Sequence, residues 1–274
     1  MKKRLDVLLL EKGMAPSRER AKAIIMSGVV YVDNQKADKA GMSIAEDATI
    51  EIRGKTNSFV SRGGLKIEKA LDYFHIDPQG LCVMDIGAST GGFTDCLLSR
   101  GARKVYSIDV GYGQLAWKLR QDPRVVCMER TNIRYVTPDQ LDDVPELAVI
   151  DVSFISLKLV LPVVASLLCE QGRVACLIKP QFEAGKGKVG KKGVVRQPEI
   201  HLEVLQSFIQ NAHDAGFHVY SLTFSPIKGP EGNIEFLGYL GKNGEDAQLD
   251  PAAVVAQAHG ALTHHDDETL TLPH

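Results

Sequence analysis

The sequence contains few cysteines and no long apolar run. Its 274 residues include five cysteines and no CxxC pair, so neither a zinc ribbon nor a disulfide framework is expected. Most of the cysteines lie in apolar strand or helix patterns, which predicts free thiols in a reducing cytoplasm. No stretch of about 18 apolar residues occurs, and we therefore predict no membrane-spanning segment. We find no set of metal-ligand side chains and predict no metal site.

The net charge of −2 conceals an asymmetry along the chain. Residues 1–66 contain 13 Lys or Arg and 8 Asp or Glu, whereas the remainder contains 19 and 26. A basic front segment joined to an acidic larger segment indicates a polyanionic partner for the front segment. The apolar content of 44% is enough for an ordinary core, which excludes a disordered chain.

The first 50 residues combine short helical and strand patterns. Two apolar stripes predict two helices: Leu5, Leu8 and Leu9, then Ala21, Ile24 and Ile25. VVYV and ATIEI predict short strands, joined by a polar loop with Asp33-Asn34 as its turn. Arg18 and Lys22 are spaced to share one face of the second helix, with Arg4 nearby. Such a cluster suits phosphates, and a solvated helix face is the alternative.

The order of these elements resembles the S4 RNA-binding domain. The resemblance rests on RLD, on SRERA, and on the pattern I-x-x-G-V-V-Y-V-D-N that follows. It implies binding to structured RNA through shape and backbone contacts. The scattered Lys and Arg residues, without an aromatic platform, agree with that mode of binding.

Residues 83–110 read as strand, glycine-rich turn, helix and strand, and the rest of the chain is arranged around them. Asp85 closes the first apolar run and Asp109 the second. Such a turn lets a nucleoside approach the backbone closely at a helix N-terminus. Asp109 lies 22 residues after Gly87, where an acid meets ribose hydroxyls in doubly wound folds. The spacing DxGxxxGG disfavours a dinucleotide, and glycines that serve only a tight βαβ turn are the alternative.

Strand and helix patterns alternate after this centre and end in two strand patterns, FHVYSLTFS and NIEFLGYL. The alternation predicts a parallel α/β sheet flanked by helices, with one antiparallel strand at its edge. We divide the chain into four parts: a small α+β domain (1–53), a linker (54–61), an α/β domain (62–241) and a polar C-terminal tail (242–274).

Four charged residues each close an apolar strand of the predicted sheet: Asp85, Asp109, Asp151 and Lys179. Ligands of parallel sheets bind beyond the carboxyl ends of the strands, so we expect these side chains to converge on one crevice. A lysine there takes a proton from a hydroxyl when neutral, or stabilises an alkoxide when charged. Glu235 lies in the last apolar strand, where an acid has no packing role, unless it faces outward.

The second domain resembles the FtsJ-like S-adenosylmethionine-dependent methyltransferases. The shared motifs are SRGGLK (61–66), DIGASTGGFTD (85–95), VIDVSF (149–154), LIKPQFE (177–183) and GNIEFL (232–237). The resemblance implies a class I methyltransferase fold, doubly wound around a mostly parallel seven-stranded sheet, and methylation of ribose 2′-hydroxyls. It implies a catalytic tetrad: Lys66, Asp151, Lys179 and Glu235. It also implies a set of residues for S-adenosyl-L-methionine: Asp85, Gly87, Ala88, Ser89, Thr90, Gly91, Gly92, Asp109 and Asn132.

An S4 domain followed by this methyltransferase domain resembles the TlyA, or haemolysin A, family. The combination implies 2′-O-methylation of cytidine in ribosomal RNA, with ribosomal subunits as partners. The stretch AGKGKVGKKGVVRQ (184–197) follows Lys179 closely and contains no acid. It is expected to close over RNA, and a flexible solvated loop is the alternative. Its predicted phosphate contacts are Lys186, Lys188, Lys191 and Lys192.

Three other functions compete with this one. A catalytically silent RNA-binding factor would bind no cofactor, and the complete tetrad and glycine turn count against it. A haemolysin acting on membranes needs an amphipathic or membrane-spanning segment, and the sequence shows neither. An NAD-type oxidoreductase is disfavoured by the glycine spacing and by the S4 module. The sequence leaves open the modified nucleotide, the ribosomal subunit, the need for an assembled particle and the oligomeric state.

Overall fold

Two small antiparallel sheets and a helix pair form the N-terminal domain. The computed structural model describes residues 2–15, 17–26, 28–52, 59–185 and 187–267. The elements of this domain are β1 (Lys2–Arg4), α1 (Leu5–Glu11), α2 (Arg18–Met26), β2 (Val30–Val32), β3 (Gln35–Lys36), β4 (Ser43–Ala45) and β5 (Ile50–Ile52). β1 pairs with β4, and β2 lies between β3 and β5. The predicted mixture of helix and strand is confirmed.

The two predicted apolar stripes form the core of this domain. Six helical residues are at most 3% exposed and pack in one cluster: Leu5, Leu8, Leu9, Ala21, Ile24 and Ile25. Val30 and Val32 of β2 join the same cluster. The helix pair therefore covers one face of the small sheet, as amphipathic stripes of this spacing require.

The predicted turn at Asp33-Asn34 forms, but it joins β2 to β3 and not to the ATIEI strand. Asp33 and Asn34 have φ of 49° and 65°, and left-handed backbone at both central positions makes a tight two-residue hairpin. Such a turn returns the chain to the adjacent position in the sheet. The ATIEI segment, which contains β5, therefore pairs with the opposite edge of β2.

A seven-stranded sheet with helices on both faces forms the second domain. Its elements are α3 (Gly63–Tyr73), β6 (Cys82–Ile86), α4 (Gly92–Ser99), β7 (Lys104–Ile108), α5 (Trp117–Arg120), β8 (Val125–Met128), β9 (Leu147–Ile150), α6 (Leu157–Leu167), β10 (Arg173–Ile178), α7 (Pro180–Glu183), α8 (Pro198–Asp214), β11 (His218–Phe224), β12 (Phe236–Gly241) and α9 (Pro251–Asp267). The strand order is β11-β12-β10-β9-β6-β7-β8. All pairings are parallel except those of β12, which is antiparallel to both neighbours. The predicted doubly wound, mostly parallel sheet is confirmed, but the antiparallel strand, β12, is not at the edge as expected, because β11 pairs with its outer side.

Burial of the sheet on both faces explains the continuous apolar runs of its strands. Leu71 of α3 and Leu97 of α4 pack in the cluster on one face. Leu161 of α6 and Phe208 of α8 pack in the cluster on the other. Because the strands between these helices are parallel, the residues that follow them gather at one edge of the sheet.

The start of the second domain differs from the predicted boundary. We assigned Phe59 to the linker, but its ring is 5% exposed and packs with Ile67 and Phe93. The remaining linker residues, 54–58, lie outside the described residues. The polar composition of residues 53–61 predicts an exposed linker. Burial of an aromatic ring is favourable, however, and it joins Phe59 to the core of the second domain.

The predicted polar C-terminal tail contains a packed helix. Val255, Ala258 and Leu262 of α9 are buried in the core cluster beside α8 and β11. Spacings of three and four residues place these side chains on one helix face. The segment therefore belongs to the domain through α9, and residues 268–274 lie outside the described residues.

Candidate active site

Two cavities open at the carboxyl ends of β6, β7 and β9. The first cavity, of about 670 Å³, is lined by Gly87, Ser89, Asp109 and Asp151. The second cavity, of about 610 Å³, shares Gly87, Ser89 and Asp151 and is also lined by Lys66. The two cavities therefore meet at the glycine turn and at Asp151. Two adjoining spaces at one sheet edge suit a reaction between two bound molecules.

The glycine turn requires glycine at two positions. Gly87 has a φ of 87°, and a Cβ there would lie 2.5 Å from the carbonyl oxygen of Asp151. Gly91 has a φ of 95° at the N-cap of α4, and a Cβ there would overlap the side chain of Leu119. Backbone conformation and neighbours both exclude larger residues. Gly87 also lines both cavities, so the turn presents its backbone to them.

Asp109 and Asn132 lie around the first cavity. The backbone N–H groups of Ser89 and Gly111 each donate to Asp109, at 2.7 Å, one to each carboxylate oxygen. Asn132 lines the same cavity, and its Oδ1 accepts from the backbone N–H of Arg134 at 3.1 Å. These bonds fix both side chains before any ligand binds.

The predicted cofactor residues divide between the cavities. Those lining the first are Gly87, Ser89, Asp109 and Asn132. Those lining the second are Gly87, Ala88, Ser89, Thr90 and Gly92. Gly91 lines neither cavity and serves the turn itself.

Asp85 lies behind the turn and not in a cavity, which corrects its assignment as a direct cofactor contact. It is completely buried within β6. Its Oδ2 accepts from the backbone N–H of Thr94 at 2.9 Å and from Thr94 Oγ1 at 2.6 Å. Burial raises the pKa of Asp85 to about 7, against these hydrogen bonds. The physical reason for the difference is that β6 continues through Ile86, so Asp85 points into the helix-covered interior.

Two buried lysines each pair with a carboxylate at the same sheet edge. Lys179 Nζ lies 2.5 Å from Asp151 Oδ1 and donates to Ser153 Oγ at 3.1 Å. Lys66 Nζ, on α3, donates to Glu235 Oε2 at 2.5 Å. Each lysine is 7% exposed. Because Lys66 and Asp151 line the same cavity, the structure brings the four residues together as two neighbouring ion pairs.

Glu235 precedes β12 and faces inward. It is completely buried, which excludes the outward-facing alternative. Its Oε1 has no hydrogen-bond partner within the described ranges, and a Cβ on Gly229 would overlap this atom. A buried carboxylate oxygen without a partner costs free energy, and such atoms concentrate at functional sites.

The residues that connect the loops after β9 and β10 were missed from the sequence. Glu183 accepts from Ser156 Oγ at 2.6 Å and from the backbone N–H of Leu157 at 2.8 Å. It thereby caps the start of α6. Phe154, with a φ of 64°, packs on Phe182 with ring centroids 5.0 Å apart. Because β9 and β10 are adjacent in the sheet, the loops that follow them lie side by side. The motifs VIDVSF and LIKPQFE lead into these two loops, and their pairing could have indicated the contact.

Two of the predicted RNA contacts of the N-terminal domain, Arg4 and Arg18, lie at the start of its helices, and the third, Lys22, lines the second cavity. Arg4 precedes α1, and both Arg4 and Arg18 form ion pairs with the buried Asp6. Lys22 lies one turn after Arg18 on α2. Helical geometry places Arg18 and Lys22 on one face, whereas the shared acid was not expected.

An ion pair joins the described part of the predicted phosphate-binding loop to α8. Lys188 pairs with Glu203 of α8, and both side chains are about half exposed, at 49% and 54%. Lys191 and Lys192 begin a short 3₁₀ turn, in which Lys192 has a φ of 64°. Lys186 lies outside the described residues.

Asn233 fixes the far end of this loop. Its Oδ1 accepts from the backbone N–H of Val195 at 3.0 Å, and its Nδ2 donates to the carbonyl of Gly193 at 3.0 Å. Asn233 is 2% exposed and lies two residues before Glu235. The loop and the Lys66–Glu235 pair therefore share one short anchoring segment.

Two known families match the chain. Residues 59–242 match the model described as FtsJ-like methyltransferase, and residues 3–50 match the S4 domain. The first match covers more than half of the chain. The chain belongs to the FtsJ-like methyltransferase family. Among the helices of the described ranges, none is both long and apolar enough to cross a membrane.

Relatives of this FtsJ-like chain match it along nearly its whole length. A 16S/23S rRNA (cytidine-2′-O)-methyltransferase, TlyA from Mycobacterium tuberculosis, is 40% identical over 261 residues, 95% of this chain and 97% of TlyA. YqxC from Bacillus subtilis, provisionally named an rRNA methyltransferase, is 51% identical over 268 residues, 95% of each chain. A solved structure from Streptococcus thermophilus, provisionally named a hemolysin, is 45% identical with a TM-score of 0.79, over 97% of this chain and 98% of that chain. The predicted resemblance to the TlyA family is confirmed.

Proposed function

We propose that this protein methylates the ribose 2′-hydroxyl of a cytidine in ribosomal RNA, with S-adenosyl-L-methionine as methyl donor and ribosomal subunits as substrates in the cytoplasm. The observation that carries the proposal is the pairing of Lys179 with Asp151, and of Lys66 with Glu235, beside a glycine turn. TlyA, which is 40% identical over 95% of this chain, is named for this reaction. The S4 match supports RNA as the substrate class.

The residues of the first cavity fit the cofactor. Gly87 lines this cavity without a side chain, so a nucleoside can approach its backbone. Asp109 offers a fixed carboxylate to ribose hydroxyls, and Asn132 offers an amide to a base. When bound, S-adenosylmethionine supplies a methyl group on a positively charged sulfur.

The protein's chemical task is to align the 2′-oxygen and remove one proton. Lys179 and Asp151 form an ion pair, and Ser153 holds the lysine nitrogen from a second direction. The pair accepts the hydroxyl proton as the oxygen–carbon bond forms and the carbon–sulfur bond breaks. While the proton leaves, the ammonium group of Lys179 stabilises the negative charge that develops on the oxygen.

Lys66 and Glu235 prepare the second cavity for the target ribose. Lys66 lines this cavity beside Asp151, and the completely buried Glu235 holds its ammonium group from behind. Two lysines and two carboxylates have no net formal charge. The 2′-hydroxyl is neutral too, so its entry leaves the charge of the site balanced. The ammonium group of Lys66 lies beside the cavity and attracts the sugar–phosphate backbone.

RNA docking is assigned to the two basic surfaces. The N-terminal surface comprises Arg4, Arg18 and Lys22, and it suits structured RNA read by shape. The loop surface comprises Lys186, Lys188, Lys191 and Lys192, and it follows Lys179 along the chain. The half-exposed pair of Lys188 with Glu203 has to open in the complex, which costs little for an exposed pair.

Methyl transfer to unmodified ribosomal subunits tests the proposal. Tritium from labelled S-adenosylmethionine is expected in alkali-resistant dinucleotides, which identify 2′-O-methylation. Lys179→Ala should reduce the rate by about 10²–10⁴-fold while cofactor binding persists. Lys118→Ala, at an exposed lysine paired with Asp95, should leave the rate unchanged. No label from the wild type, together with no cofactor binding by calorimetry, would leave only an RNA-binding factor.

A further inference from the structure

A buried acid lies beneath two of the basic residues assigned to RNA. Asp6 is completely buried in the first turn of α1. Arg4 donates to it from Nε at 2.9 Å and from Nη2 at 3.0 Å. Arg18 donates from Nε at 3.0 Å. One carboxylate therefore accepts three charge-assisted hydrogen bonds from two guanidinium groups, which reach it from β1 and from the start of α2.

The main chain fixes the position of Asp6. The backbone N–H of Asp6 donates to the carbonyl of Ala40 at 3.1 Å, and that of Leu5 donates to Met42 at 2.8 Å. The hydrogen bond from Arg4 has the largest effect on the pKa of Asp6, and the hydrogen bond from Arg18 acts in the same direction. Together they lower this pKa to about 2, although burial acts in the opposite direction. Asp6 is therefore an ionised anchor throughout the neutral range.

The arginines keep donors for another partner. Their side chains remain 47% and 46% exposed. A guanidinium has five N–H donors, and the bonds to Asp6 use Nε and one Nη2 donor of Arg4 and Nε of Arg18. Among the described residues, no hydrogen bond engages Nη1 of Arg4 or either Nη group of Arg18. These groups can bind phosphate oxygens, whose geometry the planar guanidinium matches.

We propose that Asp6 is a positioning residue for RNA, which holds Arg4 and Arg18 in the orientation that binds phosphates. The inference rests on the proposed function, since RNA is the ligand. An arginine that is already held loses less rotamer freedom when it binds. Removal of the acid should therefore weaken RNA binding. Simple charge counting predicts the opposite, because a lost negative charge increases the attraction of a basic surface for a polyanion.

The opposite signs make the test direct. Asp6→Asn removes the charge but keeps the shape and one acceptor oxygen. Asp47→Asn is the matched control, since Asp47 is an exposed acid of the same domain. Binding of both full-length variants to ribosomal subunits that lack the methylation is measured over a series of salt concentrations. We expect Asp6→Asn to bind about tenfold more weakly, with a shallower salt dependence, and Asp47→Asn to bind as tightly as wild type or tighter.

A second measurement separates orientation from a loss of folding. Arg18→Lys keeps the charge but loses the planar fork. It should weaken binding several-fold in the wild-type background and have little further effect in Asp6→Asn, because the orientation is already lost. Cofactor affinity should stay unchanged in all variants, and Asp47→Asn should also keep the wild-type rate of methyl transfer.

Different results would contradict the positioning role of Asp6 and the proposed methyltransferase function. Asp6→Asn that binds as tightly as wild type, or effects of Asp6→Asn and Arg18→Lys that add, would overturn the positioning role and leave the methyltransferase intact. A wild-type protein that binds neither ribosomal subunit would overturn the proposed function and the inference together.

Discussion

Asp6 in the N-terminal domain and Asp85 in the methyltransferase domain are both completely buried, but their partners differ. Asp6 accepts from two arginines, and its pKa falls to about 2. Asp85 accepts from the neutral Thr94, and burial raises its pKa to about 7. Burial alone therefore does not decide the charge of an acid in this protein. The presence of a cation beside it does.

The same contrast separates the two functional regions. At the sheet edge beside the two cavities, Lys66 and Lys179 are almost completely buried, and each has its own carboxylate. On the N-terminal domain, two half-exposed arginines share Asp6 and so keep a surplus positive charge. Balanced pairs suit a site that handles one proton, whereas a surplus suits a surface that meets a polyanion.

The largest effect is expected when one partner of a buried pair is removed. Glu235→Gln leaves the ammonium of Lys66 without its carboxylate and should lower the free energy of unfolding by about 3–5 kcal/mol. Urea denaturation measures this loss. The exposed pair provides the control, since Glu203→Gln should leave stability nearly unchanged.

A double variant separates the stability of that pair from its function. Lys66→Met combined with Glu235→Gln removes both charges and should recover most of the lost stability. Methyl transfer should remain strongly reduced, because the cation beside the second cavity is gone. Recovery of activity together with stability would show that the pair has only a structural role.

The next effect concerns pH and the two buried aspartates. The pKa of Asp85 is raised from 3.8 to about 7, so its stabilising contribution is present below about pH 4 and is lost as pH rises toward 7. Asp85→Asn should remove this loss, which is on the order of 1.4 kcal/mol for each pH unit. Asp6 acts in the opposite sense, because its pKa is lowered. Its contribution is present above about pH 4 and is lost toward pH 2, and Asp6→Asn should remove that loss.

Urea denaturation at each pH checks both signs, with variant and wild type compared at the same pH. His201 titrates in the same window, since burial lowers its pKa to about 4. Its contribution is lost as pH falls from about 6.5 toward 4, and it cancels in the difference between variant and wild type. Equal pH profiles for wild type and Asp85→Asn would contradict the role assigned to burial.

The positions of Asp109, Asp151 and Lys179 could be predicted because parallel topology decides them. Each follows a strand of one sheet, so each must lie at the same edge. Asp85 shows where this reasoning stops. It ends an apolar run in the sequence, but β6 includes Ile86, and a shift of one residue along a strand sends the side chain to the other face.

Contacts between distant segments could not be predicted from periodicity. Lys66 and Glu235 are 169 residues apart, and only the family resemblance placed them together. Asn233 and Val195 are 38 residues apart, and nothing in a local pattern indicates their bond. Asp6 was hidden for another reason. An acid in the first turn of a helix is ordinary, and its burial depends on arginines that come from two separate elements.

A smaller effect is expected at the glycine turn. Gly87→Ala introduces a Cβ that would lie 2.5 Å from a carbonyl oxygen, at a residue with a φ of 87°. Cofactor affinity, measured by calorimetry, should fall by about tenfold or more because the turn has to shift. Gly80→Ala is the control, with a φ of 74° and open space around the new Cβ. It introduces similar backbone strain but should leave cofactor affinity unchanged.

The smallest effect compares Asp6 with an acid that pairs with an exposed lysine. Glu203 contacts Lys188 while both side chains are about half in water, so the pair holds Lys188 only loosely. Glu203→Gln frees this lysine without removing an oriented donor, and affinity for ribosomal subunits should rise by about twofold, with a slightly steeper salt dependence. Asp6→Asn should change affinity in the opposite direction. If both variants strengthened binding, Asp6 would act on RNA in the same way as the exposed Glu203, through its negative charge alone. The arginines of the N-terminal surface would then bind RNA without being held in a fixed orientation.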